Sequence, residues 1–118
     1  MDTYVIVDLE TTGHSVKSGD ELIEFAAVVV REGEVIERYS TLIRPSRPIP
    51  PFITQLTTIS DEDVSDAPTF EDVIPDIWKM LDGRVFVAHN VAFDLTFLNE
   101  SLEQAGYLAF QGRAIDTV

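Results

Sequence analysis

Two acidic side chains close the first apolar segment of the chain. Asp8 and Glu10 flank Leu9 and follow the strand-like run from Tyr4 to Val7. Because side chains two residues apart in a strand point to the same face, we expect both carboxylates to project together and Leu9 to face the core. Adjacent carboxylates repel each other unless a cation lies between them, and oxygen ligands favour Mg²⁺ or Mn²⁺ over zinc. Taken alone, the pair fits either a solvated acid pair at a strand end or a divalent-cation site.

A second polar group follows the short apolar segment Val85–Ala88 and ends at Asp94, about one turn into a predicted helix. Ligands of open α/β sheets bind at the carboxyl edge of parallel strands, where this helix should start. We therefore expect Asp94 to join the first two carboxylates, with an ordinary first-turn acid as the alternative. We expect Asn90 to be the N-cap of the helix. Phe93 fits either the core or the site.

The apolar pattern divides the chain into strands and helices that would position these residues. Strands are predicted over Thr3–Leu9, Glu21–Arg31, Val35–Arg44, Val85–Ala88 and Ala114–Val118. Longer helices are predicted over Thr69–Asp82 and Val91–Ala105, and short ones over Phe52–Leu56 and Ser60–Val64. A three-strand meander followed by alternating helices and strands predicts an α/β fold with a mixed sheet and right-handed crossovers. The first strand is apolar nearly throughout, so we expect it to be buried on both faces.

The composition limits the classes of protein that the chain can belong to. With 118 residues it is long enough for one domain, and it has no Cys, which excludes disulfides and a Cys-based zinc site. No apolar run reaches the ~20 residues of a membrane span, and the chain start lacks a basic signal-peptide region, so we expect no membrane partner and a cytoplasmic location. The formal net charge of −13 opposes direct phosphate binding. The acids are then either a solvated surface or ligands of cations that bridge to phosphate.

Three segments in order resemble motifs of one enzyme family. Asp8–Gly13, Leu56–Ser60 and His89–Asp94 resemble the first two exonuclease motifs and the intervening loop of the DEDDh, or DnaQ-like, 3′→5′ exonucleases. The resemblance covers Thr3 to Val118. It is strongest to the N-terminal exonuclease domains of Gram-positive DinG-type proteins and to the polymerase III proofreading domain.

The resemblance implies a fold, an activity and a set of site residues. The implied fold is a ribonuclease-H-like mixed five-stranded sheet flanked by helices. The implied activity is hydrolysis of nucleotides from nucleic acid 3′ ends, with DNA preferred, releasing nucleoside 5′-monophosphates. Asp8, Glu10 and Asp94 match catalytic acids that bind two divalent cations, Mg²⁺ or Mn²⁺. The implied substrate-binding positions are Thr11, Thr12, Leu56, His89, Asn90 and Phe93.

The sequence departs from the family pattern in two places. Thr58 stands where the family has a glycine, so we expect a slightly different backbone turn. The third exonuclease motif, which supplies a general-base histidine and a fourth acid, is absent. His14 is a weak substitute for that base, and Asp116 matches a structural Asp-Thr pair. We therefore expect residues 1–118 to be the N-terminal portion of one exonuclease domain, C-terminally truncated, with little activity of its own.

The same reasoning leaves the partners and the function partly open. A helicase or polymerase domain in the parent protein would hold the rest of the DNA. We also expect self-association if the last strand leaves an unpaired sheet edge. The main alternative function is a non-catalytic module that binds nucleic acid ends or a polymerase or helicase partner. An oligoribonuclease relative, or an α/β domain whose acids lie together by accident, would also fit the pattern.

Overall fold

The computed structural model describes residues 2–117, which form a mixed five-stranded sheet with its two long helices on one face. The strands are β1 (Thr3–Thr11), β2 (Leu22–Arg31), β3 (Glu34–Leu42), β4 (Val85–Ala88) and β5 (Ala114–Asp116). The helices are α1 (Pro51–Thr57), α2 (Asp61–Val64), α3 (Phe70–Leu81) and α4 (Val91–Gln104). The strand order is β3-β2-β1-β4-β5, antiparallel through the meander and parallel from β1 to β5. The predicted α/β fold class is confirmed.

Helix α3 begins and ends where local chemistry dictates. Thr69 and Asp72 form a capping box, in which each side chain accepts a hydrogen bond from the other residue's amide. Gly83 has a φ of 74°, a left-handed conformation that glycine adopts without steric cost, and the chain leaves the helix there. The predicted start is confirmed, and the helix continues through Pro75.

The two faces of the sheet differ in burial. On β1 the odd-numbered Val5, Val7 and Leu9 lie in the main core with residues of α3 and α4, whereas Ile6 is 42% exposed. The expectation that β1 is buried on both faces was therefore wrong. From β1 to β4 and from β4 to β5 the chain moves in one direction across the sheet, so right-handed crossovers place both long helices on the same face. The other face is open within residues 2–117.

A β-bulge gives strand β2 a second packing partner. The register shifts between Glu10 and Thr11, so that Ile23 is the extra residue on β2. Ile23 is buried in a smaller cluster with Ile53 of α1 and Ile59, whereas its neighbour Leu22 lies in the main core. This cluster anchors the two short helices to the sheet.

The remaining predictions about the elements mostly hold. Strand β3 is largely exposed, as expected of an edge strand. Pro51 opens α1, and Ser60 with Asp63 forms a second capping box at α2. The final strand was predicted to reach Val118, which lies outside the described residues; β5 ends at Asp116. Across residues 2–117 no helix has the length and apolarity needed to cross a membrane.

Candidate active site

The end of β1 presents two carboxylates on the open side of the sheet. Asp8 is exposed and Glu10 is half-buried, while Leu9 between them is buried in the core. The alternation predicted from the sequence is therefore confirmed. The register pairs Asp8 with Ala26 and Glu10 with Glu24, so the small alanine leaves space beside the first acid and a like charge stands opposite the second.

Asp94 lies in the first turn of α4, half-buried. Burial first, and then the charges of Asp8 and Glu10, raise the pKa of the Asp94 carboxyl to about 6, while His89 opposes the shift. Two stretches of chain more than eighty residues apart thus bring their carboxylates into electrostatic contact. A proton or a cation near Asp94 relieves the repulsion.

Glu24 joins this acidic group, and the sequence reasoning missed it. The pKa of Glu10 is raised by burial first, then by the charges of Asp8 and Glu24. Glu24 sits directly across from Glu10 on the neighbouring strand. The register of the β1–β2 pair was the signal that could have identified it.

The donor set fits a hard divalent cation, although the three acids do not form a closed cage. Asp8, Glu10 and Asp94 offer only carboxylate oxygens, the ligands that Mg²⁺ and Mn²⁺ prefer. No three His, Cys, Asp or Glu side chains among residues 2–117 converge closely enough, as they stand, to ligate one ion. A cation would therefore have to draw the repelling carboxylates inward and displace the proton that Asp94 tends to retain.

The start of α4 is held by two side chains. Asn90 is the N-cap, as predicted, and its Oδ1 accepts a hydrogen bond from the Phe93 amide at 3.2 Å. Asp116 of β5 accepts a hydrogen bond from the Val91 amide at 2.6 Å, in keeping with the structural role expected for it. The side-chain oxygen of Asn90 is thus already engaged within the helix.

The loop after β1 is shaped by its own hydrogen bonds. The Thr11 hydroxyl donates to the Gly13 carbonyl at 2.7 Å. Thr12 is buried, its amide donates to the Glu21 carbonyl, and its hydroxyl accepts from the Glu21 amide at 2.9 Å. Both threonine side chains and the Thr12 amide are therefore committed inside the chain. Any contact of Thr12 with a nucleotide would have to use its other groups.

The side chain of Asp20 also fixes this loop. Its carboxylate accepts a hydrogen bond from the Ser15 amide at 3.0 Å. It also fills the space beside Gly13, where an added Cβ would overlap the carboxylate of Asp20. The glycine is required here because the carboxylate occupies the volume that a side chain would need.

An aromatic pair lies at the start of α4. Phe93 is half-buried and packs against the main core, and the ring of His14 meets it edge-on with centroids 5.8 Å apart. Phe93 therefore packs partly in the core and lies partly exposed beside the site, as the two alternatives predicted from the sequence would each have it. The contact brings the His14 ring next to the turn that carries Asp94, whereas sequence reasoning gave His14 little weight. His89 is exposed at the end of β4.

Helix α1 carries an exposed apolar pair. Leu56 is 77% exposed, and Phe52, one turn earlier, is 63% exposed. Sequence reasoning proposed Leu56 as a substrate-binding position, whereas it placed Phe52 only at the start of the short helix. Thr58 ends α1 in the left-handed conformation, with φ 66° and ψ 5°, which glycine adopts at lower steric cost than threonine. The expected difference in the backbone turn at Thr58 stays a prediction.

Comparisons with known proteins agree on one family. A family model described as an exonuclease, RNase_T, matches residues 5–118. The chain is 45% identical over 115 residues to the 3′-5′ exonuclease DinG of Bacillus subtilis, covering 98% of this chain and 12% of that protein. It is 39% identical over 117 residues to the PolC-type DNA polymerase III of Clostridium perfringens, covering 99% and 8%. The chain thus spans about an eighth or less of the length of these relatives.

Solved structures share the fold. Exonuclease X in complex with 5′ overhanging duplex DNA is 32% identical with a TM-score of 0.73, over 97% of this chain and 59% of that one. The zinc-bound form of an Escherichia coli exonuclease I complex with single-stranded DNA is 18% identical with a TM-score of 0.87. The match covers 98% of this chain and 28% of that one. The second match, at its low identity, speaks only for the fold, and it agrees with the mixed sheet described above.

Proposed function

Because the chain belongs to the RNase_T exonuclease family, we propose that it forms part of a metal-dependent 3′→5′ exonuclease domain acting on DNA ends. The observation that carries the proposal is the mutual repulsion of Asp8, Glu10 and Asp94 at the carboxyl edge of the parallel strands. Repelling carboxylates cost stability unless a cation neutralises them. Such an arrangement is typical of a site for a cationic cofactor.

The proposed roles follow from the positions of the side chains. Asp8, Glu10 and Asp94 would hold two divalent cations, Mg²⁺ or Mn²⁺. Bound there, the cations would supply activation of a water and stabilisation of the leaving 3′ oxygen, and the products would be nucleoside 5′-monophosphates. The carboxylates would hold the cations, and the cations would screen the negative charge of the protein from the phosphate.

Apolar and aromatic side chains would hold the terminal nucleotides. Leu56 presents an exposed side chain on α1. Helix α1 packs on Ile23 in the small cluster, and Ile23 precedes Glu24, which pairs with Glu10. Phe93 presents the exposed part of its ring one residue before Asp94. Exposed apolar surface of this kind suits stacking on bases, which tolerates any base sequence. Thr11 and Thr12 would hold the loop shape around the nucleotide.

The preference for DNA and the parent protein are parts of the same proposal. Exonuclease X, which is 32% identical and was solved with 5′ overhanging duplex DNA, supports DNA as the substrate. A chain with a net charge of −13 gains little from phosphate contacts, so we propose that a polymerase or helicase domain of the parent protein holds the rest of the strand. The PolC-type relative supports the polymerase context.

Manganese binding tests the cation site directly. Mn²⁺ at 100 times its dissociation constant should stabilise the folded chain by about 2.7 kcal/mol, measured by urea unfolding. Asp8→Asn should abolish this stabilisation because one shared ligand is lost. Glu34→Gln, at an exposed acid that begins β3, is the matched control and should leave it intact. Equal stabilisation of the wild type and Asp8→Asn would contradict the proposal.

Hydrolysis of labelled ends tests the activity. We expect slow, Mn²⁺-dependent release of nucleoside 5′-monophosphates from single-stranded DNA, faster than from short RNA. The rate should lie roughly 10²–10⁴-fold below that of a domain with its general base, because the third motif is absent from these residues. Tight binding of DNA 3′ ends with no release at any metal concentration would favour the non-catalytic module instead.

A further inference from the structure

One hydrogen bond ties the last strand to the helix that carries Asp94. Asp116 Oδ1 accepts from the Val91 amide at 2.6 Å, across 25 residues of chain. Asp116 reaches this position because β5 runs parallel to β4 and pairs Asp116 with Ala88. The Thr117 amide adds a 3.1 Å bond to the Ala88 carbonyl. The turn between β4 and α4 is thus bridged by a carboxylate from the neighbouring strand.

The first turn of α4 is less deeply packed against the sheet than the rest of the helix. The fully buried residues of the helix begin at Phe97, three residues after Asp94, and continue with Leu98 and Leu102. Val91 and Phe93 pack against the main core but are only half-buried. Asn90 caps the helix, but its bond to the Phe93 amide and the Asp94 amide's bond to the Asn90 carbonyl are internal to the turn. They would move with it.

We propose that Asp116 is a positioning residue for the cation site, holding the first turn of α4, and with it Asp94, in register with Asp8 and Glu10. This inference rests on the proposed function. Asp116 is exposed, so its carboxylate is not needed to fill the core, and the bond it makes is the link between β5 and the helix start. A negative charge beside a helix N-terminus is also electrostatically favourable. Partners that orient metal ligands in this way commonly control metal affinity.

Three variants separate the hydrogen bond from the charge. Asp116→Ala removes the acceptor and should weaken Mn²⁺ binding about 10–100-fold, measured by electron paramagnetic resonance of free Mn²⁺. Asp116→Asn removes the charge but keeps a side-chain oxygen, and should bind Mn²⁺ nearly as well as the wild type. Val91→Pro removes the donor while leaving Asp116 charged, since proline is tolerated at the first helical position. It should match Asp116→Ala, and the double variant should lose no more than either single one.

A second measurement keeps the inference separate from the nuclease proposal. In the metal-free protein, hydrogen exchange of the Phe93 and Asp94 amides should be faster in Asp116→Ala than in Asp116→Asn, while the urea midpoint stays unchanged because water can replace an exposed carboxylate. If the wild type bound no Mn²⁺, the proposed function would fail, and exchange would still test the positioning role. Wild-type Mn²⁺ affinity and exchange in Asp116→Ala would overturn the inference, and so would equal losses in Asp116→Ala and Asp116→Asn. Should Val91→Pro not fold, the two Asp116 variants decide alone.

Discussion

The two faces of the sheet differ in role: the covered face stabilises the fold, and the open face carries the acids of the candidate site. On the covered face, Phe86 and Val5 are fully buried beneath the long helices. On the open face, Ile6 is 42% exposed and Asp8 and Glu10 lie near one another with like charge. The covered face gains free energy from burial, whereas the acids on the open side lose some through repulsion. The contrast indicates that the candidate site is supported by a core to which it contributes little.

Neighbouring residues of β4 offer the strongest way to break this comparison. Phe86 points into the core and Val87 to the open face, where it pairs with Ile6. Phe86→Ala should cost about 3–5 kcal/mol because it leaves a cavity. Val87→Ala should cost less than about 1 kcal/mol, because its side chain is only half-buried. Urea unfolding measures both, and comparable losses would show that the open face contributes as much as the covered one.

The pKa of Asp94 sharpens the comparison on the acidic side. Since burial and the neighbouring acids raise this pKa from 3.8 to about 6, the folded chain binds a proton that the unfolded chain releases. The contribution of Asp94 to stability should therefore be greatest below about pH 4, fall as pH rises toward 6, and stay constant above it. Asp94→Asn should remove this slope and stabilise the chain at pH 7 by about 1–2 kcal/mol, a value reduced for partial exposure.

Carboxyl carbon NMR gives the pKa of Asp94 directly. Adding Mg²⁺ should lower it, and Asp8→Asn should lower it in the metal-free protein. Glu103→Gln, near the far end of α4, serves as the control and should leave it unchanged. If Asp94 titrated near 3.8 without metal, it would not interact electrostatically with the acids of β1.

A smaller effect is expected at Thr58, the residue that ends α1. Its left-handed φ of 66° is strained for a residue with a Cβ, so Thr58→Gly should stabilise the chain by about 0.5–1 kcal/mol. Thr54→Gly is the same change inside α1 and should destabilise instead. Thermal unfolding of both variants checks the opposite signs. A loss of stability in Thr58→Gly would mean that the threonine side chain makes a contact worth more than the strain.

Local signals in the sequence predicted most of the elements. Helices were predicted to start at Ser60, Thr69 and Asn90, and the structure has an N-cap at each of these residues. These predictions succeeded because capping depends on residues within one turn of each other. The alternation of Asp8, Leu9 and Glu10 succeeded for the same reason, since strand geometry alone sets it.

Features that depend on distant parts of the chain were harder to predict. The apolar run of β1 gave no sign that one of its faces stays open, because burial depends on which side the crossovers place the helices. Glu24 was missed because its approach to Glu10 requires the register of the β1–β2 pair. The contact of His14 with Phe93 joins a loop to a helix eighty residues away and has no local signature.

The extra residue in β2 also bears on how this protein can change. Because Ile23 and Leu22 serve different clusters, the layer under α1 and the layer under the long helices can be repacked separately. Substitutions around Ile53 would then shift α1, and with it Leu56, with little effect on the packing of the main core. A single added strand residue would thus let α1, with the nucleotide contact proposed at Leu56, vary while the main core stays the same.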